Sequence, residues 1–319
     1  MRKQFIVLLL IILIIVSPAA ALEITTAFDI GNIGFDENPM TGTDYASGSY
    51  PWGLTMRATQ NLGTGLGVDF SYEGDRVLNN LVSGIFSYNG DFFSIGAGPA
   101  FGVFNTAATP LQPGISTSFK IEWPGKLFLN FDLFSSIGYQ LRSEGDYSQG
   151  KNNLTFGFYV PNAICSLNMT TKDYTEITAS NGERNDSLTE YSFKTQIYQK
   201  NIPYRVLVGL IYRKTSTAFT NQVFSGATVA DLSLDTVAFT ETLNSLLLQT
   251  RVDMFFNTAV SAYIDLYSSI FSFGSIDDED AATIEALSIP DTLPGAFLFE
   301  ASLGVKINFD HLGKKSEIK

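Results

Sequence analysis

In about fourteen stretches of this chain, apolar residues occupy every second position and no charged residue joins them. The final stretch shows the pattern most plainly. Ala301, Leu303, Val305, Ile307 and Phe309 alternate with Glu300, Ser302, Gly304, Lys306 and Asn308. An earlier one reads Tyr50, Trp52, Leu54, Met56 and Ala58 on one phase. A period of two belongs to β-strands, whose successive side chains point to opposite faces. One face of every strand is therefore apolar and free of charge. Lipid is the environment that enforces this, because Lys or Arg facing the bilayer midplane costs roughly 2–4 kcal/mol. The charges fall on the other phase. The basic ones are Arg57, Lys120, Lys194, Arg205, Arg213, Arg251 and Lys306. The acidic ones are Asp69, Glu73, Glu122, Asp132, Glu190, Asp253, Asp265 and Glu300.

The alternation predicts strands at about 24–34, 50–60, 65–73, 81–88, 92–104, 114–123, 126–139, 153–160, 163–172, 188–199, 203–213, 245–256, 259–271 and 296–309. The connections alternate between short and long. The short ones, such as "NLGT" (61–64), "NGD" (89–91) and "PN" (161–162), carry the Asn, Gly, Asp and Pro that tight turns need. A soluble sandwich also alternates apolar and polar faces, but it has no reason to sort its loops by side. A transmembrane barrel does sort them, with short turns at one end and longer loops at the other. Aromatics also gather near strand ends, as interfacial girdles require: Tyr50, Trp52, Tyr72, Tyr139 and Tyr212 on the loop side, Trp123, Tyr204 and Phe309 on the turn side. The expected fold is all-β, an antiparallel transmembrane β-barrel of about fourteen strands, within a range of roughly 12–16.

The chain opens with Arg2 and Lys3, an apolar run from Phe5 to Val16, and small residues ending in Ala19 and Ala21. That is the pattern of a secretory signal peptide at 1–21. The run is shorter than the roughly 20 residues of a spanning helix. The barrel is then expected at 22–309 and a periplasmic tail at 310–319. Formal charge is −12, which argues against nucleic acid as a partner. One cysteine, Cys165, precludes an intrachain disulfide.

In these features the chain resembles the outer-membrane β-barrel, porin-like proteins of diderm bacteria. The most specific local match is the assembly signal read by the barrel-assembly machinery, whose places are filled by Ser302, Gly304, Ile307 and Phe309. The usual signal ends at the C-terminal residue, whereas ten residues follow this one. The resemblance implies the cell outer membrane as location. It also implies outer-membrane lipid, the assembly machinery and small-molecule solutes as partners. The strand number is shared with fatty-acid-channel-like proteins and some monomeric porins. Enzymatic barrels of this class use a histidine base. The sole histidine, His311, stands beyond the last strand, so no enzyme, no cofactor and no His- or Cys-based metal site is expected.

The candidate functional residues are the luminal charges. Arg57, Arg205, Arg213 and Arg251 would face Asp69, Asp132, Asp253 and Asp265, either as a selectivity ring or as ion pairs that stiffen the wall. The expected function is passive, porin-like passage of small solutes. The alternative is a surface-exposed structural or adhesin-like barrel with a blocked lumen. Two loops stand out. The apolar 216–245 stretch suits either a constriction in the mouth or a hairpin prolonging the barrel, and two hidden strands there would raise the count to about sixteen. The acidic run Asp277 to Asp280 suits either the collection of divalent cations or a bridge to lipid head groups, or the start of a short helix with Ile284 and Leu287 on one face.

Overall fold

The computed structural model describes residues 22–31, 52–74, 80–103, 111–136, 147–177, 182–199, 202–222, 237–278, 292–293 and 297–311. The strands are β1 (Leu22–Gly31), β2 (Trp52–Gly63), β3 (Leu66–Gly74), β4 (Asn80–Asn89), β5 (Phe93–Val103), β6 (Leu111–Trp123) and β7 (Leu127–Ser136), then β8 (Tyr147–Val160), β9 (Ala163–Ile177), β10 (Glu183–Tyr198), β11 (Tyr204–Gln222), β12 (Val237–Phe255), β13 (Val260–Asp278), the two-residue β14 (Thr292–Leu293) and β15 (Phe299–Asn308). Each long strand pairs antiparallel with its neighbours in sequence, and β13 pairs with β15. The ring closes where β15 pairs with β1, from Glu23↔Asn308 to Gly31↔Glu300. Fourteen long strands thus form a barrel without an edge. Closure is what lets a sheet lie in hydrocarbon, because every strand's backbone groups face a partner.

Among the described residues, five tight turns join the strands at one end, and β10 and β11 come together at the same end. Thr64 and Asn162 adopt positive φ there, as do Gly63, Gly65 and Gly125. Positive φ is costly for most residues and cheap for glycine, with asparagine next, which explains the composition of these turns.

Outward residues on the lower wall are apolar and well exposed, among them Phe86, Ile95, Ile121, Leu167, Phe193, Leu210, Ile264 and Leu303. Among the described residues, no charge shares this face below the loop-side rim. Trp123, Tyr204, Tyr88, Phe92, Phe93, Phe256 and Phe309 ring the turn-side border. On the far border, Leu154, Met169, Tyr191, Tyr212, Leu246 and Phe271 form one continuous row of ladder partners from β8 to β13. Two residues higher, the outward positions on β8 to β12 are Asn152, Thr171, Thr189, Lys214 and Asn244, and on β13 Phe273 is the apolar exception. The apolar band stops there, while the wall continues above it. This is the architecture of an outer-membrane β-barrel, a lipid-facing belt between two polar ends.

That continuation corrects several sequence expectations. Strands β8 to β13 run well past their predicted loop-side ends, because their outer faces turn polar above the lipid and the alternation signal disappears. Tyr212 marks the top of the lipid band and not the end of β11. The described arms of the 216–245 stretch prolong β11 and β12 as one hairpin, paired as far as Gln222↔Val237. These arms add no strands, and the count among the described residues is fourteen long ones. Asp277 and Asp278 lie in β13, paired with Thr240 and Phe239, and not at a helix start. Residues 279–291, which include Ile284 and Leu287, lie outside the described residues, as do 1–21, Tyr50, Tyr139 and the tail from 312 onwards. Phe309–His311 form a short 3₁₀ turn directly after β15.

Candidate functional site

Described residues of the inward phase line a larger and a smaller chamber. The larger, on the loop side, has a volume of about 640 Å³. Charged residues line it in both signs: Asp29, Asp69, Glu73, Asp132, Glu190 and Glu300 against Arg57, Lys151, Lys172 and Arg213. The smaller, on the turn side, has about 310 Å³ and lies against an arc of the wall from β6 to β11.

Most of the ion pairs are local to the wall. Arg57 approaches Asp69 at 2.6 Å, and Asp69 also accepts a hydrogen bond from Thr59 Oγ1 at 3.0 Å. Arg213 lies opposite Glu190 in the ladder and donates from Nε (3.0 Å) and Nη2 (2.8 Å) to the same carboxylate oxygen. Arg251 donates to Asp253, the next inward residue of its own strand, at 2.8 Å. It reaches Asp265 at 4.0 Å and lies 3.7 Å above the Tyr263 ring. Asp265 instead accepts from Gln249 at 2.9 and 3.0 Å. Arg205 makes no ion pair with any described residue. It stacks on Phe255 at 4.8 Å and Tyr198 at 6.0 Å, as guanidinium groups do on aromatic faces. Asp132 lines the large chamber, opposite Asn153 in the ladder.

The eight predicted residues therefore all point inward, but they do not form one ring. Arg57, Asp69 and Asp132 border the large chamber, as does Arg213 with its partner Glu190. Arg251, Asp253 and Asp265 form a separate network on β12 and β13. One ion pair crosses the lumen: Lys151 Nζ of β8 lies 2.5 Å from Glu73 Oε2 of β3. Sequence spacing gave no sign of this pairing, because it joins strands that are not neighbours.

Aromatic side chains are parked over inward glycines. A Cβ at Gly157 would fall 2.2 Å from the Phe128 ring, and one at Gly304 would fall 2.1 Å from the Tyr263 ring. Gly304 thus has a packing role in addition to its place in the terminal pattern. Of the other members of that pattern, Ser302 pairs with Asp29 and Asp265, Ile307 pairs with Ile24 and Val260, and Phe309 stands exposed at the turn-side border. Sequence reasoning did not single out Lys120, Tyr159 and Lys194 as a group. Only the register from β6 to β10 brings them to one chamber.

No protein-family model matches the chain, and no curated protein matches it. Solved structures share its outline. A bacterial polysaccharide outer membrane secretin is 13% identical, with a TM-score of 0.47, over 90% of this chain and 98% of the other. An outer membrane channel from Pseudomonas putida F1 is 9% identical, with a TM-score of 0.42, over 92% and 97%. Salmonella typhi OmpF, in complex with daunomycin, is 11% identical, with a TM-score of 0.37, over 91% and 97%. None of these likenesses bears on what the chain carries or binds.

Proposed function

We propose that this barrel is an outer-membrane channel that passes small solutes passively. The observation that supports the reading is the large chamber, a polar space of about 640 Å³ inside a closed wall. Its charges are largely held against the wall by neighbours, which leaves the centre to water and solute. Rings and patches of fixed charge bias which ions enter such a space. The Lys151–Glu73 pair narrows the passage by bridging the wall. In this reading the protein catalyses nothing, and the Ser302, Gly304, Ile307 and Phe309 pattern serves the assembly machinery.

The cross-lumen pair favours one other reading, a surface-exposed structural barrel whose lumen is shut. Efflux of a small sugar from liposomes separates the two. Vesicles carrying the refolded protein should release arabinose much faster than protein-free vesicles. Equal rates would support the shut barrel.

A further inference from the structure

The turn-side chamber has a composition unlike the rest of the lumen. Its lining side chains are Lys120, Phe128, Asn130, Tyr159, Ile164, Ser166, Lys194, Gln196 and Leu207. Two are cations and none is an acid. The acids nearby are already engaged. Glu122 pairs with Lys120 and accepts a hydrogen bond from the Tyr159 hydroxyl at 2.9 Å. Asp253 is held by Arg251 and by Gln196 at 3.2 Å. Glu190, two inward positions above Lys194 on β10, receives both bonds from Arg213. Asp265 is held by Gln249. Lys194 itself makes no ion pair with any described residue. It stands between Ser166 of β9 and Gly209 of β11 in the ladder.

Glu190 and Asp265 attract the Lys194 ammonium through space, but no described acid bonds it. An ammonium withdrawn from bulk water without a bonded counter-ion is costly, and a bound anion offsets that cost. The remaining wall is mixed, with the amides of Asn130 and Gln196 beside an apolar portion. In that portion Phe128 and Tyr159 pack with their ring centroids 5.6 Å apart, tilted at 57°, next to Ile164 and Leu207. A concave apolar site with a few convergent polar groups is how small ligands are held. We propose that this chamber binds small organic carboxylates. Lys194 receives the carboxylate, Ser166 supplies a hydroxyl donor beside it, and the Phe128–Tyr159 pair receives the apolar body. The proposal rests on the lumen being open to solutes, and it assigns that passage a preferred class of cargo. Arg205 lies near the same end of the barrel, stacked on its aromatic neighbours, and adds positive potential there.

Isothermal titration of the refolded protein in detergent with sodium benzoate tests this, since benzoate joins a carboxylate to a flat ring. Benzoate should bind wild type, and benzamide, its uncharged counterpart, should bind at least about tenfold more weakly. Lys194→Gln should lose a similar factor, and Lys194→Arg should recover part of it. The overturning results are no benzoate binding, equal binding of benzamide, or unchanged affinity in Lys194→Gln. Heat-modifiable gel mobility reports whether each variant is folded. If Lys194→Gln does not fold, the benzoate and benzamide comparison on wild type decides. Because titration does not require conduction, binding without sugar efflux would refute the channel and leave the site standing.

Discussion

Arg57 and Arg213 each pair with an acid on an adjacent strand, yet they stand in different walls. Arg57 is 63% exposed to the chamber, whereas Arg213 is 12% exposed and its partner Glu190 is 14%. The surrounding strands differ in the same way. On the short wall, β15 and β1 to β7, strands have 9 to 13 residues. On the tall wall, β8 to β13, they have 14 to 19. The tall wall carries dense side-chain bonding, such as Asn168 to Ser192 and Gln249 to both Asp265 and Tyr267. It also holds a buried apolar cluster of Ile211, Leu243 and Leu247 against Leu298. The short wall has a smaller cluster, Leu81, Ala100 and Phe134. Pro99 lacks an N–H, and the β4–β5 ladder skips from Ser83↔Ala100 to Phe86↔Ala97 beside it. The contrast divides the labour within one ring. The tall wall is built as a packed, bonded block, and the large chamber is lined by both walls, with its more exposed arginine on the short one.

Substitutions can break or sharpen this contrast. The largest effect is expected at Arg213→Ala, which removes the only bonded cation from a largely buried Glu190 carboxylate among the described residues. Loss of one partner of a buried pair costs roughly 3–5 kcal/mol. Urea unfolding in lipid vesicles, followed by tryptophan fluorescence, would read it, and a loss under about 1 kcal/mol would dissolve the distinction between the walls. Next comes Leu247→Ala. Leu247 is fully buried, and truncation of such a residue costs about 2–5 kcal/mol, with the cavity term setting the position in that range. The same assay applies, and a neutral result would mean that the tall wall's interior is loosely filled. The smallest effect is expected at Arg57→Ala, about 0–1 kcal/mol, as for solvent-exposed ion pairs. Its consequence should lie in ion selectivity, read as a shift in reversal potential towards cations when a positive charge leaves the chamber.

The lipid-facing half of the fold was legible because exclusion of charge is a rule without local exceptions. Leu303, Val305 and Ile307 could be placed outward from alternation alone. The upper parts of the tall wall were not legible. At Lys214, Ser216 and Asn244 the outer face meets water, so both faces become polar and the period of two no longer shows as hydropathy. The inward charges were legible as inward, but not as pairs. Arg213 meets Glu190 because their strands are in a particular register. Lys151 meets Glu73 because the barrel closes on itself, a property of the whole ring that no local window contains. Lys194 is the sharpest case. Its phase was evident, but its lack of an acid partner appears only when Glu122, Glu190, Asp253 and Asp265 are each seen to be taken.

Single-channel recording across a planar bilayer tests the central claim, that the short wall borders an open passage, most directly. Folded protein should give discrete conductance steps, and Lys151→Met, which removes the strap to Glu73, should enlarge them. Repeated insertions of folded protein with no steps, in wild type and in Lys151→Met alike, would contradict the account.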